Sequence, residues 1–211
     1  MPSTRILVFA KAPLPGQAKT RLIPALGAQG AARLHERLLR ETLLRMSRVA
    51  KMRPDVGLEL WCAPDRSHPL FQELCLAHAL RLQDQCAGDL GQRLFAGASE
   101  ALRRAHAVLL IGSDCPDLGV EQIDQAVSAL RAPGIDAVLG PALDGGYALL
   151  GIRRAEPGLF TNMPWGGDRV AAVTRERMIA LGWCWRELPE LRDVDRPEDL
   201  DWYPHHRPAE P

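Results

Sequence analysis

The residues of this chain whose types and spacing could do chemistry are a short run of cations and a set of scattered carboxylates. Lys11, Lys19 and Arg21 fall in one segment, Lys11-Ala-Pro-Leu-Pro-Gly16-Gln-Ala-Lys19-Thr-Arg21-Leu22. A loop shaped by glycine and proline exposes backbone N–H groups, and three nearby cations add positive potential, a pairing that suits a pyrophosphate or triphosphate. The segment has neither the Gly-x4-Gly-Lys-Ser/Thr spacing of a Walker loop nor the Gly-x-Gly-x-x-Gly dinucleotide fingerprint. Only three lysines, at 11, 19 and 51, stand among 26 basic residues, and two of them lie here. A lysine delivers a compact ammonium to a phosphate oxygen, where arginine offers a broad planar fork. Chance and a solvated loop charge are the competing account of that bias.

Asp114 is the first candidate carboxylate. It follows Val108-Leu-Leu-Ile-Gly-Ser, an apolar run that reads as a strand buried on both faces. A carboxylate released at the carboxyl end of such a strand stands where open α/β sheets bind ligands. Asp193 and Asp195, two residues apart, face the same way if their segment is extended. Brought to Asp114, either would complete an oxygen-rich site for Mg²⁺ or Mn²⁺ that also holds ligand phosphates. The plainer alternatives are that Asp114 or Ser113 shapes a turn, and that Asp195 or Asp199 caps a helix whose first turn holds Pro197.

Two glycine-bearing segments add candidates. Gly88-Asp89-Leu90-Gly91-Gln92-Arg93 could bring backbone amides and Arg93 to a ligand, or could be a helix start with Asp89 as N-cap. In Gly140-Pro-Ala-Leu-Asp144-Gly145-Gly146-Tyr147, a glycine pair beside a carboxylate lets a substrate approach the backbone. It is equally the signature of a hairpin turn between apolar strands. The six histidines show no zinc spacing, and Trp165, Trp183 and Trp185 read as core or rim aromatics.

The elements that must position these groups alternate. Strands are expected at 5–10, 57–62, 80–85, 108–111, 136–139, 147–152 and 183–188. Helices are expected at 28–52, 69–78, from the 88–91 turn to 105, at 120–130 and at 168–181. Leu34, Leu38 and the pair Leu43/Leu44 mark the inner face of the first. A short helix over the Asp-Val-Asp-Arg-Pro-Glu-Asp-Leu segment closes the pattern. Alternation of this kind gives an α/β sheet with helices on both faces. A single domain over 1–203 is expected, with a flexible C-terminal tail at 204–211.

Composition excludes several classes. The chain has 211 residues, 26 basic and 26 acidic, so net charge steers it to neither nucleic acid nor membrane. Five scattered cysteines without Cys-x-x-Cys spacing argue against a zinc site or a disulfide framework and for a reducing, cytoplasmic setting. Neither a signal peptide nor a membrane-spanning apolar run is evident.

Five segments in order, FAKAPLPGQAKTRL, GDLGQRL, GSDCPDL, GPALDGGYALLG and DVDRPEDL, resemble the bacterial glycosyltransferases of the glycosyltransferase-A superfamily, some of whose members are named for arsenosugar biosynthesis. The Lys-Thr-Arg-Leu loop and the closing element are also similar to 2-phospholactate guanylyltransferase and, more distantly, to molybdopterin guanylyltransferase. The resemblance implies a three-layer α/β/α sandwich with a mostly parallel central sheet, the Rossmann-like nucleotide-diphospho-sugar transferase fold. It further implies that Lys11, Gly16, Lys19 and Arg21, with Gly88 and Arg93, bind nucleotide phosphates. Lys19 and Asp114 would be catalytic. Asp114 would hold the metal with Asp195, Asp193 being the rival second ligand, and Asp144, Gly145, Gly146 and Tyr147 would lie toward the acceptor. Two departures stand out. Gly166-Gly167-Asp168 replaces small hydroxyl residues, and Arg196 replaces a threonine, which leaves Asp195 with a capping duty that competes with metal binding.

Three functions are compatible with these residues. The first is a metal-dependent glycosyltransferase using a nucleotide-sugar donor and a small-molecule acceptor. The second is a nucleotidyltransferase releasing pyrophosphate, which three loop cations favour. The third is a nucleotide-binding module without catalysis. Neither nucleic acid nor membrane is an expected partner, and homodimerisation is left open.

Overall fold

A computed structural model describes residues 3–203; the expected flexible tail at 204–211, with His205 and His206, lies outside them. Seven strands form one sheet: β1 (Thr4–Lys11), β2 (Val56–Ala63), β3 (Arg81–Asp84), β4 (Ala107–Ile111), β5 (Ala137–Pro141), β6 (Tyr147–Ile152) and β7 (Trp185–Glu187), in the order β3-β2-β1-β4-β6-β5-β7. All neighbouring pairs are parallel except those made by β6, which runs antiparallel to both β4 and β5. The helices are α1 (Ile23–Met52), α2 (Pro69–His78), α3 (Leu90–Leu102), α4 (Val120–Arg131) and α5 (Val170–Ala180). Among the described residues no helix is long and apolar enough to cross a membrane.

Strand alternation explains the layers. In β1, Ile6, Val8 and Ala10 enter one core with Leu39, Leu43 and Met46 of α1, Phe71 of α2 and Val127 of α4. Leu7 and Phe9 point the other way, into a second core with Leu94 and Ala98 of α3 and Met178 of α5. Successive side chains leave opposite faces of a strand, so a run with no polar alternation must be covered on both. The expected three-layer α/β/α sandwich is the architecture found. Leu44, paired with Leu43 in the sequence reading, instead lies on the outer face of α1.

The topology also fixes where a ligand can enter. The chain steps from β1 to β2 and β3 on one side, then returns to place β4 on the other side of β1. Loops leaving the carboxyl ends of β1 and β4 therefore diverge, opening a crevice at the switch point.

Three segments take a local form that bears on the sequence reading. Gly27 adopts φ +69° and separates a leading turn from the main body of α1, so the regular helix starts near the expected residue 28. Gly140 and Pro141 belong to β5 and Tyr147 to β6, so of the two readings of the Asp-Gly-Gly segment the β-hairpin turn is the one found. The closing helix is a 3₁₀ turn, Pro197–Asp201.

Candidate functional site

The loop after β1 is pinned from beneath. Ala12 N donates to Ala63 O, and Gln17 N and Ala18 N both donate to Leu14 O. Lys19 then takes a left-handed conformation, φ 48° and ψ 46°, uncommon for a residue with a side chain and often found at functional positions. That turn sends its side chain inward, where only 6% is exposed. Lys19 Nζ donates to Asp114 Oδ2 at 2.9 Å and to Asp195 Oδ1 at 3.3 Å. Arg21 Nη1 donates to Asp195 Oδ2 at 2.8 Å, and Arg21 Nη2 to the Gly166 carbonyl at 3.3 Å.

The two acidic segments meet through the backbone. Val194 N donates to Asp114 O at 2.9 Å, and Cys115 Sγ contacts Arg192 O. Val194 is fully buried with Leu22, Leu34, Leu38 and Leu200. Anchoring the middle residue of Asp-Val-Asp turns Asp193 and Asp195 away from that core and toward the cleft. Gly112 leaves the room that Asp114 uses, since a Cβ there would stand 2.7 Å from Asp114 Oδ1 and would shift that carboxylate.

Asp195 is not a helix cap. Asp199 Oδ2 accepts from both Asp195 N at 2.8 Å and Arg196 N at 2.7 Å, so the missing threonine is compensated from within the turn and Asp195 keeps both oxygens for Lys19 and Arg21. At the second glycine segment, Asp89 is the N-cap of α3 in a reciprocal box with Gln92. Gly88 lies outside the cleft wall and its carbonyl accepts from Arg93 Nε.

One cleft of about 420 Å³ gathers most of these groups, within the range of small-molecule sites. Lys11, Lys19, Arg21, Arg93, Asp114, Asp144, Gly146, Tyr147, Asp193 and Asp195 line it, while Gly16, Gly88 and Gly145 do not. Gly145 packs tightly against the Asp168 carbonyl, and its own carbonyl accepts from Ala171 N at the start of α5. Gly166 and Gly167 are on the rim beside Trp165, which stands edge-on to Tyr147.

His35 and Gln85 also line the cleft, and no sequence motif pointed to either. His35 lies on α1 between apolar positions, where a histidine is indistinguishable from core filler. Its Nε2 meets Lys11 O at 2.8 Å, which makes Nε2 the donor and leaves Nδ1 a buried acceptor without a partner among the described residues. Gln85 sits just past β3, and that position at a strand's carboxyl end was the only available signal.

Electrostatics separate the carboxylates. Burial works against charge at Lys19, but Asp114 and Asp195 outweigh it and hold the ammonium above its ordinary pKa. Burial likewise opposes ionisation of Asp114, and Lys19 overcomes it to hold that carboxyl below its usual value. Asp193 is the opposite case: burial, then the charges of Asp114 and Asp144, push it up to about 7. Burial keeps His35 below its ordinary value, so it is neutral.

The donor set fits a hard divalent cation. It is built of oxygens, and Asp193 makes no hydrogen bond or ion pair to another side chain among the described residues. A cation between Asp193 and Asp114 would relieve their repulsion. Among the described residues no three potential ligands form a cage by themselves, as suits an ion that takes one or two carboxylates and completes its shell from phosphates and water. Asp195 is ion-paired with Lys19 and Arg21 and Asp114 with Lys19.

A family model described as "uncharacterized protein conserved in bacteria (DUF2064)" matches residues 45–167. A crystal structure from Desulfovibrio desulfuricans G20, provisionally named a nucleotide-diphospho-sugar transferase, is similar over 100% of this chain and 90% of its own, with 30% identity and a TM-score of 0.84. The fold is also shared with 4-diphosphocytidyl-2C-methyl-D-erythritol synthase from Anaerococcus prevotii, at 12% identity over 95% of this chain and 96% of that one, TM-score 0.61. A mannosyltransferase from Pyrobaculum calidifontis, solved with GDP-mannose and Mn²⁺, matches at 14% identity over 95% of this chain and 59% of its own, TM-score 0.59. No curated protein sequence matches this one.

Proposed function

The chain belongs to the DUF2064 family, and from that premise we propose that it is a glycosyltransferase taking a nucleotide-sugar donor. The charge balance of the cleft carries this reading. Lys11, Lys19, Arg21 and Arg93 face Asp114, Asp144, Asp193 and Asp195, so the cleft is formally neutral. A nucleotide sugar brings a diphosphate of about two negative charges, which one divalent ion cancels; a triphosphate would leave about two uncompensated. Two of the three loop cations that favoured a triphosphate, Lys19 and Arg21, are already matched by carboxylates.

In this reading Asp114 and Asp193 hold Mg²⁺ or Mn²⁺, with Asp195 as the rival. When bound, the ion supplies positive charge to the leaving nucleoside diphosphate. Lys19 and Arg21 grip the diphosphate, and Asp195 aims both. Trp165, Tyr147 and Asp144, on the β5–β6 side, frame the acceptor and exclude water from the transferred sugar. Incubation with UDP-, GDP- and ADP-sugars and Mg²⁺ or Mn²⁺ should release nucleoside diphosphate from one of them. Release from none, across a panel of small hydroxylated acceptors, overturns the reading.

A second reading is nucleotidyl transfer. It is favoured by a smaller hollow of about 200 Å³ beside the cleft, lined by Lys11, Gln17, Pro64 and Arg93, where two cations stand near room for further phosphates. Its mark is release of pyrophosphate from a nucleoside triphosphate in place of nucleoside diphosphate from a sugar donor.

A further inference from the structure

Gln85 holds a fixed side-chain amide at the wall of the cleft. Its backbone N donates to Cys62 O at 2.9 Å, fixing the residue at the end of β3. Its side-chain Nε2 donates to Trp61 O at 2.8 Å and Ala10 O at 3.2 Å, spanning the ends of β2 and β1. Both partners are carbonyl oxygens, which only the NH₂ group can satisfy, so the amide cannot be turned over. Oε1 makes no hydrogen bond among the described residues and is not among the buried unpartnered atoms. It therefore keeps accessible surface, on a residue that lines the cleft, as a fixed acceptor without a donor among the described residues.

The surroundings suit a flat ring. Leu90, 44% exposed, opens α3 at the cleft wall, with Leu94 and Phe9 behind it. An apolar side chain left half in solvent beside a fixed polar atom offers a base one face to lie on and one edge to bind. The position along the sheet agrees. The amide sits over the ends of β1 and β2, and the Lys19–Asp114 pair follows β4, the next strand beyond β1. By the ~4.8 Å strand spacing these lie roughly 7 Å apart across the sheet, leaving a ribose between the base and the diphosphate.

We propose that Gln85 Oε1 accepts a hydrogen bond from an exocyclic amino group of the donor's nucleobase, so that the site selects a base with an amino group at that ring position over one with a keto oxygen or a hydrogen there. This rests on the nucleotide-donor reading and adds the class of nucleotide to it. A keto oxygen in that position would face the Gln85 carbonyl with no proton between them, leaving both unsatisfied.

The test is a titration of the full chain, with Mg²⁺, by CDP, UDP, ADP, IDP, GDP and inorganic pyrophosphate, repeated with Gln85→Met. The wild type should bind CDP over UDP, or ADP or GDP over IDP, by about tenfold in Kd, the scale of one hydrogen bond to a site atom otherwise left unpaired. Gln85→Met should bring that preference to within about twofold while pyrophosphate binds unchanged. If the variant does not fold, the wild-type comparison decides alone. Equal or tighter binding of UDP and IDP overturns the assignment, as does a preference that survives in Gln85→Met. Pyrophosphate binding as tightly as every nucleotide overturns it too and leaves the phosphate end standing. Binding by none of the six overturns the nucleotide reading itself.

Discussion

Two charged clusters sit at opposite ends of the same strands. At the amino edge, Glu59 of β2 is wholly buried between Arg5 Nη1 at 3.2 Å and Arg104 Nη1 at 3.1 Å. At the carboxyl edge, Lys19 and Arg21 are shared between Asp114 and Asp195. The ingredients are similar, but the exposures differ. Glu59 has no exposed surface. Asp114 keeps 37% of its side chain exposed and faces a cavity with Asp193 and Asp144 beside it. A cluster whose charges are closed off by protein serves stability, while one that is open on one side keeps capacity for a ligand.

That contrast breaks first at Asp114. Asp114→Asn should cut donor turnover by about a thousandfold, the scale of losing a charge that acts at the reacting phosphates, while the melting temperature moves by only about 2 °C. The substitution keeps an acceptor for Lys19. A collapse in calorimetric melting would make Asp114 a structural residue like Glu59. Glu59→Ala should do the reverse, because it leaves two arginines without their buried partner. A loss of about 3 kcal/mol is expected, or roughly 6–12 °C in a chain of this size, with turnover per folded molecule unchanged.

Smaller effects sharpen the division within the carboxyl-edge cluster. Lys19→Met should weaken diphosphate binding by about thirtyfold and Asp144→Asn by less than about threefold, since only the first removes a charge-assisted contact. The reverse order in a titration would move the phosphates to the β5–β6 side. Asp193→Asn should raise the Mg²⁺ or Mn²⁺ concentration needed for nucleotide binding about tenfold, in the range seen when a metal's immediate surroundings change. Asp195→Asn should alter it less and weaken diphosphate binding instead; the opposite result restores Asp195 as the second ligand.

The mildest effect is on pH. His35 is held below its ordinary value of 6.5 by burial. Its contribution is therefore complete above about pH 6.5 and declines as pH falls toward the lowered folded value, because the unfolded chain takes up a proton that the folded one resists. His35→Asn, which retains a donor for Lys11 O, should flatten that acidic limb in melting curves. An unchanged limb would place the titration elsewhere.

Much of this architecture is written in local pattern. The apolar run before Asp114 reads as a covered strand, and the Pro/Gly segment after β1 as a loop. What was illegible depended on contacts far along the chain. Asp89 reads first as a helix cap, and Gln92 closes the box with it, but nothing local tells whether Arg93 reaches a cleft. Whether Asp195 or Asp199 caps the closing turn is open in the sequence, and the structure gives that work to Asp199. Gln85 carries no motif, because its meaning comes from carbonyls on two other strands.

The sequence by itself determined the α/β class, the loop of cations and the carboxylates at strand ends, because periodicity and turn chemistry are local properties. Tertiary structure alone decided which carboxylate Lys19 neutralises and which is left strained. Those outcomes depend on distances between residues 95 and 176 positions apart, and electrostatic energy follows separation in space, not separation along the chain.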